Sequence, residues 1–184
     1  MPAMQVTTYH LEMLDPRHLR PKRSPRADVA LVHIHPPMPE LNRFFYTAVG
    51  ADWYWHDRLP WTYADWRKYL TRPELETWML AVNGTPAGYF ELEAQADANV
   101  EIVYFGLLPA FVGAGLGGHL LTSAVERGFA MGAKRVWVHT CTLDHPQALA
   151  NYQARGLRIF KTETAVVDEP SRPSGPWPGA FAEA

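Results

Sequence analysis

The sequence predicts one domain of the mixed α+β class, and three observations lead to this prediction. Its 184 residues are enough for one domain with a hydrophobic core and few for two. Hydrophobic residues make up 47% and charged residues 20%, which is close to the average of globular proteins. Segments with the apolar alternation of strands are interspersed with segments in which apolar residues recur every three or four positions, as in helices.

The first part of the chain predicts two strands followed by two helices. Alternation of apolar residues indicates strands over 4–14 and 28–35, and prolines follow both. A helix is expected over 39–50, because this segment begins with proline and ends with glycine. A second helix is expected over 62–70, where Thr62 is the predicted N-cap.

The middle of the chain predicts an antiparallel meander of three strands. The runs 77–82 and 87–94 flank Asn83-Gly84, a dipeptide that strongly favours a two-residue hairpin turn. A third run, 100–108, follows after a short connection, so we expect it to pair with the second.

The last third of the chain alternates between helices and strands. The glycine-rich loop is residues 112–118, VGAGLGG, and it precedes a helix predicted over 116–131 with one apolar face. A short buried strand is expected over 135–140 and a helix over 144–156. Residues 157–167 predict a last strand or pair of strands.

We expect residues 1–168 to form the single domain, with residues 1–27 as an extra N-terminal strand and loop. Five basic residues lie in that loop, which predicts a solvated segment: Arg17, Arg20, Lys22, Arg23 and Arg26. Residues 169–184 are rich in proline, glycine, serine and alanine, a composition typical of flexible tails.

Composition and charge argue against several classes of function. The formal charge of −2 and the lack of a long basic stripe argue against nucleic acid as a partner. No segment reaches the roughly 20 apolar residues of a membrane span, and the N-terminus lacks the features of a secretory signal. The single cysteine excludes an intramolecular disulfide. We therefore expect a cytoplasmic protein without a membrane partner.

The glycine-rich loop lies between a strand and an amphipathic helix, a position that suits an anion. Free N–H groups and the helix dipole attract negative charge there, and glycine lets the backbone approach a phosphate. A dinucleotide site would need a parallel βαβ unit and an acidic residue about 20 residues on, but 133–135 is Ala-Lys-Arg. A P-loop would need Gly-Lys-Ser/Thr, which is absent. An ordinary tight turn remains the alternative.

Residues 99–161 resemble the acetyl-CoA core of the GCN5-related N-acetyltransferase (GNAT) superfamily. The resemblance includes the loop, the helix after it and three flanking segments: EIVYFGLLP (101–109), RVWVHT (135–140) and HPQALANYQARGLRIF (145–160). The family's loop pattern is Gln/Arg-x-x-Gly-x-Gly/Ala. Gly115 and Gly117 match it, whereas Val112 stands where a polar or cationic residue is usual.

The resemblance implies a GNAT-type fold, with a mostly antiparallel sheet of six or seven strands, a splayed strand pair and flanking helices. It implies an acyltransferase that moves acetyl from acetyl-CoA to an amine by direct attack in a ternary complex. A non-catalytic acetyl-CoA sensor or regulator on the same fold is the alternative. The implied cofactor-binding residues are Phe105, Gly106, Leu107, Val112, Gly113, Ala114, Gly115, Leu116, Gly117, Gly118, His145 and Tyr152.

Two backbone features are expected in the strand before the loop. Gly106 stands where the family's strand carries a bulge, and glycine inside a strand is consistent with one. Such a bulge would splay this strand from 135–140, and the thioester would lie in the gap. An amide near Leu107 would then donate to the thioester carbonyl as the charge develops on its oxygen.

Tyr152 is the predicted general acid. The resemblance places it in the family pattern Asn-x-x-Ala-x-x-x-Tyr, in which Ala148 matches and His145 replaces the asparagine. A phenol titrates near pH 10, close to a thiol, so it suits protonation of the departing thiolate. A half-buried core tyrosine is the alternative interpretation.

Glu101 is the predicted general base. It lies fourteen residues before Gly115, the offset of the catalytic carboxylate in histone acetyltransferases. A carboxylate in an apolar strand is costly to bury, and burial would raise its pKa toward the useful range. Glu91 and Glu93, on the neighbouring strand, are alternative bases.

Four potential metal ligands lie close together in sequence: His139, Cys141, Asp144 and His145. The two histidines are separated by five residues, at the limit of the zinc-site pattern His-x₃₋₅-His, but the chain has no Cys-x-x-Cys pair to complete such a site, so we expect no metal. Cys141 could be a nucleophile, but a cysteine after a buried strand is more typical of packing.

Residues 51–66, which run from the end of the first predicted helix into the second, are rich in aromatic residues. Stacking on them could hold a hydrophobic or cationic acceptor, or they could cover the sheet: Trp53, Tyr54, Trp55, Trp61 and Trp66. Asp52 and Asp57 would favour an amine, so we expect the partners to be acetyl-CoA and an amine. We expect this amine to be a small molecule; an amino acid and a protein amine are the alternatives. A homodimer is left open.

Overall fold

The computed structural model describes residues 3–171 and 173–177, and within them it contains a seven-stranded sheet and four α-helices. The strands are β1 (Ala3–Met13), β2 (Val29–His33), β3 (Leu75–Val82), β4 (Thr85–Gln95), β5 (Asn99–Leu107), β6 (Arg135–Cys141) and β7 (Arg158–Asp168). The helices are α1 (Pro39–Gly50), α2 (Tyr63–Leu70), α3 (Gly117–Ala130) and α4 (Ala148–Ala154). The predicted α+β class is confirmed. None of the described helices has the length and apolar character needed to cross a membrane.

The strand order is β2-β3-β4-β5-β6-β1-β7. All neighbours are antiparallel except β5 and β6, which run parallel. The β5–β6 pairing is short and ends at Glu101 and Trp137. Beyond that pair the two strands diverge, which confirms the expected splayed pair and opens a gap within the sheet.

The local signals that predicted the element boundaries are confirmed in the structure. Asn83 and Gly84 both have positive φ angles, 51° and 80°, as a tight hairpin turn requires. The Thr62 side chain caps α2 in a reciprocal capping box with Asp65. Residues 157–167, predicted as one strand or two, form the single strand β7.

The N-terminal strand β1 lies inside the sheet, between β6 and β7. It is antiparallel to both, and its register with β6 runs from Thr8 opposite Cys141 to Met13 opposite Val136. Leu11, near the C-terminal end of β1, is fully buried in the main core. The strand predicted as an extra element is therefore part of the central framework.

The sheet carries helices on both faces. On one face, α3 and α4 pack over the main core, which includes Leu120, Val125 and Tyr152. On the other face, α1 and α2 form two smaller clusters, centred on Phe45 and Trp66. The gap between β5 and β6 is thus flanked by helices above and below the sheet.

The bulge in β5 lies at Val103. Ile102 pairs with Leu92 and Tyr104 pairs with Glu91, so the register leaves Val103 without a partner in β4. A bulge of this kind puts residues three apart in sequence on the same face of the strand.

The prediction that Gly106 forms the bulge is wrong. Gly106 pairs with Tyr89 in regular register. Glycine is needed there for a different reason, because a Cβ would clash with the Val49 side chain of α1 and meet the ring of Trp55. The close approach of α1 to the sheet depends on this glycine.

The segment after β7 was predicted as a flexible tail. Its residues 172 and 178–184 lie outside the described part of the chain. Within the described part, the Ser171 carbonyl oxygen lies 2.7 Å from Nε2 of His56, in the α1–α2 connection. The start of this segment therefore contacts the connection that, as described below, lines a large cavity.

Candidate functional site

A cavity of about 1030 Å³ opens where β5 and β6 separate. Its walls come from the end of β5, the glycine-rich loop, the start of α3, β6 and α4 on one side. The α1–α2 connection, β1 and β7 contribute from the other side. This volume is at the upper end of the range of small-molecule and cofactor pockets.

Ten of the twelve predicted cofactor-binding residues line this cavity, and Ala114 and Leu116 do not. The ten are Phe105, Gly106, Leu107, Val112, Gly113, Gly115, Gly117, Gly118, His145 and Tyr152. Leu116 is fully buried in the main core, so only its backbone could face a ligand. The pattern that identified the loop thus marks a wall of the cavity.

The glycine-rich loop turns through two left-handed residues. Gly113 and Gly115 have φ angles of 82° and 76°, which residues other than glycine rarely adopt. No side chain among the described residues caps the N-terminus of α3. The first N–H groups of this helix therefore retain the capacity to bind an anion.

Two cationic side chains flank the start of α3, and sequence reasoning missed both. Lys22 lies in the loop predicted as solvated, and its backbone N–H donates to Oγ1 of Thr122 at 2.9 Å. Arg155 follows α4, and its Nε is buried without a hydrogen-bond partner among the described residues. A Cβ on Gly118 would clash with Nη1 of Arg155 and with Cδ of Lys22, so the two side chains meet at this point of the cavity wall.

The other basic residues of that loop mostly have acidic partners. Arg17 pairs with Asp15, Arg23 with Glu126 and Arg26 with Asp28. Nothing in the sequence distinguishes Lys22, which lies at the cavity, from these paired arginines in the same loop. Its role depends on how the loop lies across α3.

Tyr152 lies on α4, 5% exposed, with its ring 6.0 Å from that of Phe105. Burial raises the pKa of its phenol far above the usual value, and Asp144 raises it further. The hydroxyl is therefore protonated at neutral pH and can act as a donor.

Glu101 is almost buried at 9% exposure and does not line the cavity. Nε2 of Gln95 donates to its Oε2 at 2.7 Å, and Nε2 of His139 lies 3.6 Å from its Oε1. Burial raises the pKa of this carboxyl, the Gln95 hydrogen bond opposes that effect, and Glu93 adds to it. His139, which sequence reasoning considered only as a metal ligand, does line the cavity.

The two alternative bases are engaged elsewhere. Glu91 is fully buried and accepts hydrogen bonds from Arg58 at 2.7 Å and from Asn42 at 3.0 Å. Glu93 accepts from Arg72 at 2.6 Å. Neither carboxylate lines the cavity, and both form ion pairs with arginine side chains, which does not favour a role as the base.

The aromatic segment divides into two parts. Its first three aromatic residues line the cavity, together with Asp57: Trp53, Tyr54 and Trp55. The other two pack around the buried Arg58 guanidinium, with ring centroids 4.7 Å away for Trp61 and 5.5 Å for Trp66. The first part faces the ligand space and the second part holds the connection to the sheet.

The residues considered as metal ligands have other partners. Oδ2 of Asp144 accepts from Oγ1 of Thr140 at 2.7 Å and from the backbone N–H of Cys141 at 2.9 Å. His145 accepts from the backbone N–H of Gln147 at 3.0 Å. In the described part of the chain, no group of three or more potential ligands could hold a metal ion. Burial raises the pKa of the Cys141 thiol, which disfavours the nucleophilic thiolate.

Comparison with solved structures finds the same fold in acetyltransferases. A GCN5-related N-acetyltransferase from Kribbella flavida superposes with a TM-score of 0.64 at 20% identity, over 92% of this chain and 60% of that one. An aminoglycoside acetyltransferase from an uncultured soil metagenomic sample gives 0.59 at 13%, over 70% and 87%. A tandem GNAT protein from the clavulanic acid biosynthesis pathway gives 0.59 at 15%, over 90% and 55%. The chain thus spans 60% of the first of these proteins and 55% of the third.

Comparison with curated protein sequences finds no significant match. Residues 36–157, about two thirds of the chain, match the family model of the Acetyltransferase (GNAT) family. The match excludes β1, β2 and β7 and includes the splayed pair, the glycine-rich loop and Tyr152. On this match, and with the fold found above, the chain belongs to the GNAT acetyltransferase family.

Proposed function

We propose that the protein is an N-acetyltransferase that moves the acetyl group of acetyl-CoA to an amine by direct attack in a ternary complex. The observation that carries this proposal is the cavity in the gap of the sheet, which is lined from both faces. An anion-binding loop lies on one side, and aromatic and acidic residues lie on the other. Two substrates entering from opposite faces would meet at the gap, as direct transfer requires.

The loop side suits the phosphates of CoA. Lys22, Arg155 and the uncapped N-terminus of α3 place positive charge around the glycine-rich loop. Val112 contributes no charge, so the two cations supply what the usual polar residue of the loop would provide. We assign the phosphates to this corner of the cavity.

The unpaired edge of β5 suits the pantetheine arm. Beyond Glu101 this strand has no partner on its β6 side, so backbone groups there can bond to amides of an extended ligand. Phe105, Gly106 and Leu107 line this edge. Tyr152, on α4, is the donor that we propose for the departing thiolate.

The other side of the cavity suits an amine. Asp57 and the three aromatic residues of the connection can hold a cation by charge and by stacking. The solved neighbour described as an aminoglycoside acetyltransferase also favours a small-molecule amine. A cytoplasmic location stays a prediction from the sequence.

The proposal is tested by thiol release with acetyl-CoA across a panel of amines, combined with thermal unfolding. We expect acetyl-CoA to raise the melting temperature and at least one amine to give thiol release. Tyr152→Phe should lower kcat at least tenfold and leave the thermal shift in place, whereas the control Tyr9→Phe, outside the cavity, should change neither. A thermal shift without thiol release for any amine would indicate the sensor function. No shift at millimolar acetyl-CoA would refute both.

A further inference from the structure

His139 faces the same side of the sheet as Glu101. Val136 and Val138 pack in the core beneath α3, and side chains alternate along a strand. His139 and Trp137 therefore point to the opposite face, toward the α1–α2 connection. Half of the His139 side chain (51%) is exposed, against 11% of the Glu101 side chain.

The Glu101 carboxylate is held so that one oxygen faces His139. Nε2 of Gln95 donates to Oε2 at 2.7 Å, and Oε1 of the same amide accepts from Nε1 of Trp137 at 3.0 Å. These two hydrogen bonds fix the orientation of the Gln95 amide. They leave Oε1 of Glu101 free to interact with Nε2 of His139, 3.6 Å away. That separation is an electrostatic contact and is longer than a hydrogen bond.

We propose that His139 is the general base of the transfer and that Glu101 is a positioning residue that orients its ring and stabilises the imidazolium. The proposal rests on the N-acetyltransferase function above and names the residue that takes the proton. A base must reach the proton it removes; His139 lines the cavity and Glu101 does not. A carboxylate behind an imidazole is the arrangement that orients a base and supports its charge.

The acceptor nitrogen loses two protons during the transfer. The acceptor enters as an ammonium ion, and His139 takes one proton to give a neutral amine. The amine nitrogen attacks the thioester carbonyl carbon, a C–N bond forms and the C–S bond breaks. The second nitrogen proton compensates the thiolate, by way of the Tyr152 hydroxyl, which gives the thiol and the amide. His139 then returns its proton to solvent.

The strand β1 tunes this base. His10 lies directly opposite His139 in the β1–β6 register, with ring centroids 5.9 Å apart, and its Nε2 contacts Glu163 at 2.8 Å. Partial burial in the cleft lowers the pKa of His139, and His10 lowers it further. A base that is neutral at pH 7 can accept a proton. Because β1 lies outside the matched family segment, this influence depends on the chain's own N-terminal strand.

The charged and titratable groups that face His139 come from five elements. Asp144 and Asp57 oppose the lowering of the His139 pKa. Among the described residues, these groups are Glu101 on β5, His10 on β1, Asp144 after β6, Asp57 in the α1–α2 connection and, through His10, Glu163 on β7.

The test compares pH profiles of kcat/KM for an amine that the wild type acetylates. His139→Gln should lower kcat by about a hundredfold or more and remove the acidic limb, with the acetyl-CoA thermal shift unchanged. Glu101→Gln removes a negative charge beside the ring, so the His139 pKa should fall and the acidic limb should move to lower pH. His10→Gln removes an influence that lowers the pKa, so the limb should move to higher pH. His33→Gln, outside the cavity, is the control.

A second measurement follows the imidazole signals of isotope-labelled protein by NMR. The pKa of His139 should be lower in Glu101→Gln than in the wild type, whether or not an acceptor is present. The proposal is overturned if His139→Gln keeps the acidic limb and most of its activity while Glu101→Gln loses both, or if Glu101→Gln leaves the His139 pKa unchanged. If the wild type is inactive with every amine, the proposed N-acetyltransferase function is refuted. If the wild type is active and the variants give either of the results above, only the assignment of His139 as the base is refuted.

Discussion

Removing the two cations beside the glycine-rich loop should weaken acetyl-CoA binding by amounts that follow from their burial. Arg155 has a buried Nε without a partner among the described residues, and a charged hydrogen bond of this kind contributes about 1.5–3 kcal/mol. We take about 2 kcal/mol, which is about a 30-fold rise in Kd for Arg155→Met. Lys22 is exposed, so screening reduces its contribution to about 1 kcal/mol, or about fivefold, for Lys22→Met.

The assay is isothermal titration with acetyl-CoA and with S-acetylpantetheine, which lacks the phosphates. Both variants should lose affinity for acetyl-CoA and none for the truncated thioester, and added salt should narrow the differences. Lys68→Met and Arg67→Met, exposed on α2, are matched controls. If both cation variants bind acetyl-CoA within twofold of the wild type, or lose affinity equally for the two thioesters, the assignment of the phosphates to this corner is refuted.

Three further predictions concern stability and are measured by urea unfolding. Arg58→Met should lower the free energy of unfolding by about 3–5 kcal/mol, because Glu91 is left charged and buried. The double variant Arg58→Met, Glu91→Leu should recover part of this loss. An equal loss in the single and the double variant would contradict the explanation. Gly106→Ala should cost about 1–3 kcal/mol through its clash with Val49, and Val49→Ala should relieve that cost; no relief would exclude the clash as its cause. Leu11→Ala should cost about 2–5 kcal/mol, and a cost under about 0.5 kcal/mol, as for a surface change, would show that β1 is dispensable.

The sequence predicted those parts of the fold that depend on local signals. The Asn83-Gly84 turn, the Thr62 cap and the glycine-rich loop each act over a few residues, so a short pattern is enough to locate them. The loop also led to one wall of the cavity, because the family's pattern extends from β5 to Tyr152.

The features that were missed depend on residues far apart in the chain. The bulge was assigned to Gly106 rather than Val103 because its place is decided by the register with β4. Glu91 could not be recognised as the partner of Arg58 until the α1–α2 connection was seen to fold onto the sheet. Lys22 reaches the loop only because its segment crosses α3. No spacing rule connects positions that meet in this way.

The position of β1 has a consequence for the synthesis of the protein. Its two neighbours in the sheet are made late: Thr8 pairs with Cys141, and Ala3 pairs with Asp168. During translation the first strand must wait for the ribosome to add more than a hundred residues before its hydrogen bonds can form. Contacts so distant in sequence slow folding and leave strand edges exposed meanwhile. The wall of the cavity that holds His10 can therefore form only after β6 and β7 have been synthesised.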